Sequence, residues 1–185
     1  MSFWRRWVED RSLGAKADQF VASIVAEPDD ADVRWLAANG TGGDVDHARW
    51  ELRYARRALG LHTARRDALD DRTASVVARA LSEYLARDPA VAAGKLRVVE
   101  RQLNERLRAY GEALGNREGA GAGWHLGRTL LEFAGRRDAL PTEVVLRGSE
   151  VLAGYLGAAN EALRKSFGSA NLPEGGDGVR SGIVN

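Results

Sequence analysis

A chain of 185 residues is long enough to bury one sizeable core. Its 27 Lys and Arg residues nearly cancel 26 Asp and Glu, leaving a formal charge of +1, so no strong global field gathers nucleic acid or acidic substrates. The absence of Cys excludes a disulfide framework, a thiolate nucleophile and a Cys-based metal site. The chain does not open on the apolar run of a signal peptide, and no stretch approaches the ~20 apolar residues that span a bilayer. A soluble protein of a reducing cytoplasm is the expectation.

Residues 2–27 read as helix in two parts, weakened at Gly14, with Leu13, Ala17, Phe20, Val21 and Ile24 on one apolar face. The segment opens with Phe3-Trp4-Arg5-Arg6-Trp7, the most unusual local composition in the chain. Positions 3, 4 and 7 fan across one helix face, with Arg5 and Arg6 on the other side, so the three rings cannot all enter one narrow seam. Trp and Arg each join an apolar body to a polar tip, which suits a partner surface or a membrane interface. Pro28-Asp29-Asp30 ends this segment and caps a short helix at 32–38 that carries Trp35. The Gly-rich stretch 39–43 lacks the Gly-Lys-Ser/Thr of a phosphate loop and is followed by Asp44 and Asp46, so it reads as a helix stop and linker.

Asp44 begins the first long helix, with Val45, Ala48, Leu52, Ala55, Leu59 and His62 as a buried seam. Arg49, Arg53, Arg56 and Arg57 are expected on the opposite faces. A second helix follows at 72–86 on Val77, Leu81, Tyr84 and Leu85. Asp88-Pro89 reads as a cap with Pro at the first helical position of a third, which runs to Leu114 and stops at Gly115. Residues 116–123 form a polar, Gly-rich loop, and 124–137 a helix with Leu126, Leu130 and Phe133 inward. Past Pro141 a last helix runs to Phe167 on Val145, Leu152, Leu156, Leu163 and Phe167. The Gly-rich polar tail from Gly168 is expected to be flexible.

Arg65-Arg66-Asp67-Ala68-Leu69 recurs as Arg136-Arg137-Asp138-Ala139-Leu140. At the same offset Arg57 falls on Arg128, Leu59 on Leu130, Leu81 on Leu152, and Tyr84-Leu85 on Tyr155-Leu156. Residues 54–85 and 125–156 therefore read as one helical hairpin used twice, each with an elbow at the Arg-Arg-Asp run. Pro141 enforces the second bend, and Asp70-Asp71 can cap a new helix after the first. Leu69 and Leu140 are expected as buried plugs, and the Arg–Asp neighbours as surface ion pairs.

The expected fold is thus all-α: five long helices, two related hairpins plus a connecting helix. An N-terminal arm and Gly-rich linker (1–43), the bundle (44–167) and the tail (168–185) are its three parts. Chemistry is scarce. His62 lies on the apolar seam and reads as a core residue, aligned with Phe133. His47 and Glu51 sit one turn apart but lack the further ligands a metal needs, so neither a metal nor another cofactor is expected. No Ser elbow, kinase-type loop or zinc signature supplies catalytic residues. His125 and Arg128, after the Gly-rich loop, are the candidate anion-binding pair.

The leading expectation is a non-enzymatic adaptor or structural subunit that docks on a larger assembly through Phe3, Trp4, Arg5, Arg6 and Trp7. A protein partner is expected there, with a membrane surface as the second candidate; a homo-oligomer is a further expectation, with no segment assigned to it. The alternatives are a bundle enzyme or binding protein with an anionic ligand at His125 and Arg128, and a small nucleic-acid-associated subunit using the Arg face of the first long helix. The near-zero charge argues against nucleic acid.

Overall fold

The computed structural model describes the backbone of residues 3–67, 71–91, 94–116, 119, 121–137 and 140–168, with side chains from residue 11 onward. The described residues form seven helices: α1 (Phe3–Ile24), α2 (Asp30–Asn39), α3 (Val45–Asp67), α4 (Asp71–Arg87), α5 (Leu96–Gly115), α6 (Gly121–Phe133) and α7 (Thr142–Phe167). The all-α expectation is met among the described residues; the grouping of the long helices into two related hairpins is not confirmed.

The architecture turns on α3, which touches every other helix. Its buried residues run round the whole circumference, including the unbroken set Arg57, Ala58, Leu59 and Gly60. A single seam was therefore too narrow a reading: Val45 is exposed and His62 only half-buried, while the sides expected to face water are covered. The arginines assigned to those sides tie α3 to its neighbours. Arg49 reaches Asp30 at 3.0 Å and Arg53 forks onto Glu27 at 2.9–3.1 Å. Arg56 donates to the Glu27 carbonyl and lies over the Tyr155 ring. Arg57 is 1% exposed and paired with Asp88. The most arginine-rich helix is central because the acidic run 27–32 and Asp88 supply its counter-charges; Asp32 itself takes Arg147 of α7 at 2.8 Å.

α1 is one helix, not two, since the space around Gly14 is open and nothing bends the chain there. From Ala17 its apolar face belongs to the common core, lying on α4 and α7, with Phe20 edge-on to Phe167 at 6.4 Å. Asp29 caps α2 through the Ala31 N–H at 2.7 Å, and Asp44 caps α3 through the His47 N–H at 2.9 Å. α5 begins at Leu96 rather than Pro89. The Asp88 side chain turns back on the Ala90 N–H, and Gly94, at φ +78, breaks the run before the helix starts. α6 and α7 cross closely at Gly127 and Gly148.

The two Arg-Arg-Asp runs occupy different settings. The first is the last turn of α3, where Arg66 forks onto Asp67 at 2.6 and 2.7 Å. The second lies beyond α6, which stops at Phe133. Gly135 at φ +103 places its N–H on the Glu132 carbonyl, and Arg136 N–H reaches Leu131, closing the helix C-terminus. The matching position in the first copy is Ala64, buried within α3, so the chain continues there. Leu59 and Leu130 are both fully buried, as are Leu81 and Leu152. Arg57 is buried where Arg128 is exposed, and Tyr84 is exposed where Tyr155 is buried. Leu140 is half-buried at the core's edge rather than a full plug; Leu69, Asp138 and the tail beyond 168 lie outside the described residues.

Candidate functional site

Among the described residues, two of the places where polar side chains gather are candidates for a site. The first is internal, where α3 faces α5. Glu51 and Arg106 form a two-pronged ion pair, Nε to Oε2 at 3.0 Å and Nη2 to Oε1 at 2.5 Å, with side chains 4% and 8% exposed. The guanidinium lies over Phe133 at 4.3 Å and Tyr54 at 4.9 Å, and its Nη1 donates to the Gln102 carbonyl at 3.2 Å. The Tyr54 hydroxyl closes the group by donating to Gln102 Oε1 at 2.7 Å. Burial raises the pKa of Tyr54 above its ordinary value, against the pull of Arg106. Tyr110 is wholly buried, also with a raised pKa, and its hydroxyl finds no hydrogen bond among the described residues.

Both Glu51 oxygens are committed to Arg106, and His47 only approaches Oε1 at 3.5 Å. No open carboxylate remains there to take a substrate proton, and neither partner of the pair reaches solvent appreciably. Among the described residues no three His, Asp or Glu side chains converge as metal ligands. The cluster is a device for joining helices: a planar fork fixes the mutual height of α3 and α5 more tightly than apolar contact does. Arg57–Asp88 repeats the idea at 3.2 Å, yet the Arg57 Nε and Nη1 are buried without partners, and burial lowers its pKa.

The second place is a groove of about 670 Å³ between α5 and α6. Ala109, Ala113 and Phe133 give it apolar surface; Glu112 lines it from α5 and Asn116 from just past that helix, and His125, Thr129 and Glu132 from α6. Arg137 completes the lining from beyond the Gly135 stop. This divides the anion pair read from the sequence. His125 lines the groove, but α6 begins at Gly121, so it stands in the second turn rather than at the helix N-terminus. Arg128 faces solvent and donates to Glu132 at 2.9 Å. Arg137 is the cation the sequence reading passed over, because it assumed that the helix ran through 137. The Gly135-Arg136 step was the available signal, since a Gly just after a periodic apolar run marks a helix C-terminus.

The remaining candidates separate. The backbone of Phe3, Trp4, Arg5, Arg6 and Trp7 is helical as part of α1, and their side chains lie outside the described residues. His62 is half-buried, 3.6 Å from where a Cβ at Gly111 would stand. Burial, then the Arg66 charge, hold its imidazole below the ordinary 6.5. The unfolded chain then takes up a proton that the folded chain resists, so stability falls as pH drops below 6.5 and is unaffected well above it. His62→Phe should flatten this slope. Its melting temperature should drop less than that of the wild type between about pH 7.5 and about pH 5; parallel curves would remove His62 from the account.

Comparison of the chain with protein-family models, with curated proteins and with solved structures gives no match. Among the described residues no helix is long and apolar enough to cross a membrane.

Proposed function

We propose that the protein is a non-enzymatic helical adaptor or structural subunit that docks on a larger protein assembly through the start of α1. The supporting observation is the continuity of α1 from Phe3 to Ile24. Among its described side chains full burial begins only at Ala17, whereas Phe20, Val21 and Ile24 anchor the far end in the core. The aromatic–basic segment is therefore joined to the body by about 15 Å of uninterrupted helix between Trp7 and Ala17. A preformed helix presents its side chains with less ordering cost than a flexible arm. The buried ion pairs fit this reading, since they fix helix positions and offer no open acid or base. Arg49, Arg53, Arg56 and Arg57 of α3, expected to form a nucleic-acid face, are engaged with groups of the chain itself.

Deleting residues 2–8 tests the proposal. Circular dichroism should show the bundle's helicity and thermal midpoint nearly unchanged, and association with the partner should be lost. The segment has only two cations before Glu9 and Asp10, so an isolated helix of this kind would bind lipid weakly. Sedimentation with anionic vesicles, abolished by the deletion while no protein partner is found, would replace the protein assembly by a membrane surface. Unfolding on deletion would make the segment part of the core and remove the support for docking.

A further inference from the structure

We infer that the α5–α6 groove is a binding site for a small organic anion, with Arg137 as its charge anchor and Phe133, Ala109 and Ala113 as the seat for an apolar or aromatic body. The inference is independent of docking through α1. A groove of about 670 Å³ is within the range of small-ligand sites, and its mixture of apolar surface with a few polar groups is their usual make-up.

The sign of the ligand follows from how the lining charges are used. Both carboxylates at the groove have arginine partners on their own helices. Glu132 takes Arg128 at 2.9 Å, and Glu112 lies 4.0 Å from Arg108. Those arginines do not line the groove. Among the described residues no carboxylate pairs with Arg137, so its guanidinium is the lining cation left without a counter-charge. Thr129 adds an uncharged hydrogen-bonding group to the lining. A guanidinium recognises a carboxylate or a phosphate through paired N–H groups, so the head group is one of these.

The shape is set by small residues. Ala109 and Ala113 stand one turn apart on α5, and their size keeps that wall back from α6. Phe133 is itself held in place: Arg106 lies over its ring and Tyr110 is tilted against it at 6.1 Å. The internal ion pair thus steadies the ring on which a ligand's apolar body rests. The Gly135 stop ends α6 before Arg137, which lines the groove from beyond it.

Phenyl phosphate combines the two required features and serves as the probe. Titrated into the ¹⁵N-labelled full chain, it should cause saturable shifts at the amides of Ala113, Thr129 and Phe133. Inorganic phosphate, which has the head alone, and benzyl alcohol, which has the body alone, should each bind at least ~10-fold more weakly, because each loses one set of contacts. Arg137→Ala is an exposed substitution that leaves the fold intact, and it should weaken phenyl phosphate roughly tenfold. Ala109→Trp fills the groove and should abolish the shifts. The inference is overturned by the absence of saturable shifts, by shifts that map elsewhere, or by an Arg137→Ala variant that binds as the wild type does. Inorganic phosphate binding as tightly as phenyl phosphate would also overturn it, since the apolar surface would then contribute nothing.

Discussion

Glu51→Ala should lower the free energy of unfolding by about 3–5 kcal/mol, among the largest losses that a single polar substitution can cause here. The reason is the position of Arg106. Its side chain is 8% exposed, it lies over Phe133 and Tyr54, and both bonds of its fork end on Glu51. Removing the carboxylate leaves a largely desolvated guanidinium with only the Gln102 carbonyl at 3.2 Å and the exposed Glu105 carboxylate at 3.9 Å. A half-exposed pair such as Arg128–Glu132 provides the contrast. Glu132→Ala should cost well under 1 kcal/mol, because water replaces the lost partner. The double variant Glu51→Leu/Arg106→Met should recover much of the loss, since a buried pair replaced by apolar groups is often neutral. Urea titrations with a common slope measure all four proteins. A Glu51→Ala loss below about 1 kcal/mol would mean that the pair is wetter than its geometry indicates.

The second large effect belongs to Gly127. A Cβ there would overlap the Val145 carbonyl and crowd the Ser149 N–H, both backbone groups of α7 that cannot rotate aside. Helix propensity favours Ala over Gly by about 1 kcal/mol. Separating two packed helices costs about 1–3 kcal/mol or more, so the clash prevails and Gly127→Ala should destabilise. Gly127→Leu should disrupt the α6–α7 contact altogether. Gly154, also on α7, has nothing within 4 Å of its would-be Cβ. Gly154→Ala should therefore gain about 0.5–1 kcal/mol from propensity alone. Opposite signs at Gly127 and Gly154 in thermal melts would establish the close crossing. A stabilised Gly127→Ala would contradict it.

Helical periodicity exposed much of this fold. The inward faces of α4, α5 and α7 follow from Val77, Leu81, Val99, Leu103, Leu152 and Leu163, and each of these is buried. The caps at Asp29 and Asp44 were legible too, because Asp before a helix has one strong local use. α3 was not legible in the same way. A helix buried on all sides normally looks apolar all round, but α3 carries Arg57 and Glu51 inside, and their partners Asp88 and Arg106 lie far along the chain. No local pattern announces such a pairing, so the arginines read as a solvent face. The repeat misled at Arg136-Arg137, where similarity to the first copy outweighed the Gly135 that ends α6. A helix continued through 137 hides the place of Arg137 at the groove, while Arg128, singled out for its position after the Gly-rich loop, turns outward.

The central claim is that a partner is engaged by the start of α1 while the body folds without it. Native mass spectrometry of the tagged full chain, purified under gentle conditions beside Trp4→Ala/Trp7→Ala, tests it most directly. Docking through the start of α1 requires a protein partner in fixed stoichiometry on the wild type, its loss from the double variant, and the same melting temperature for both chains. A double variant that retains the partner, or that loses it only because the chain unfolds, would contradict the account.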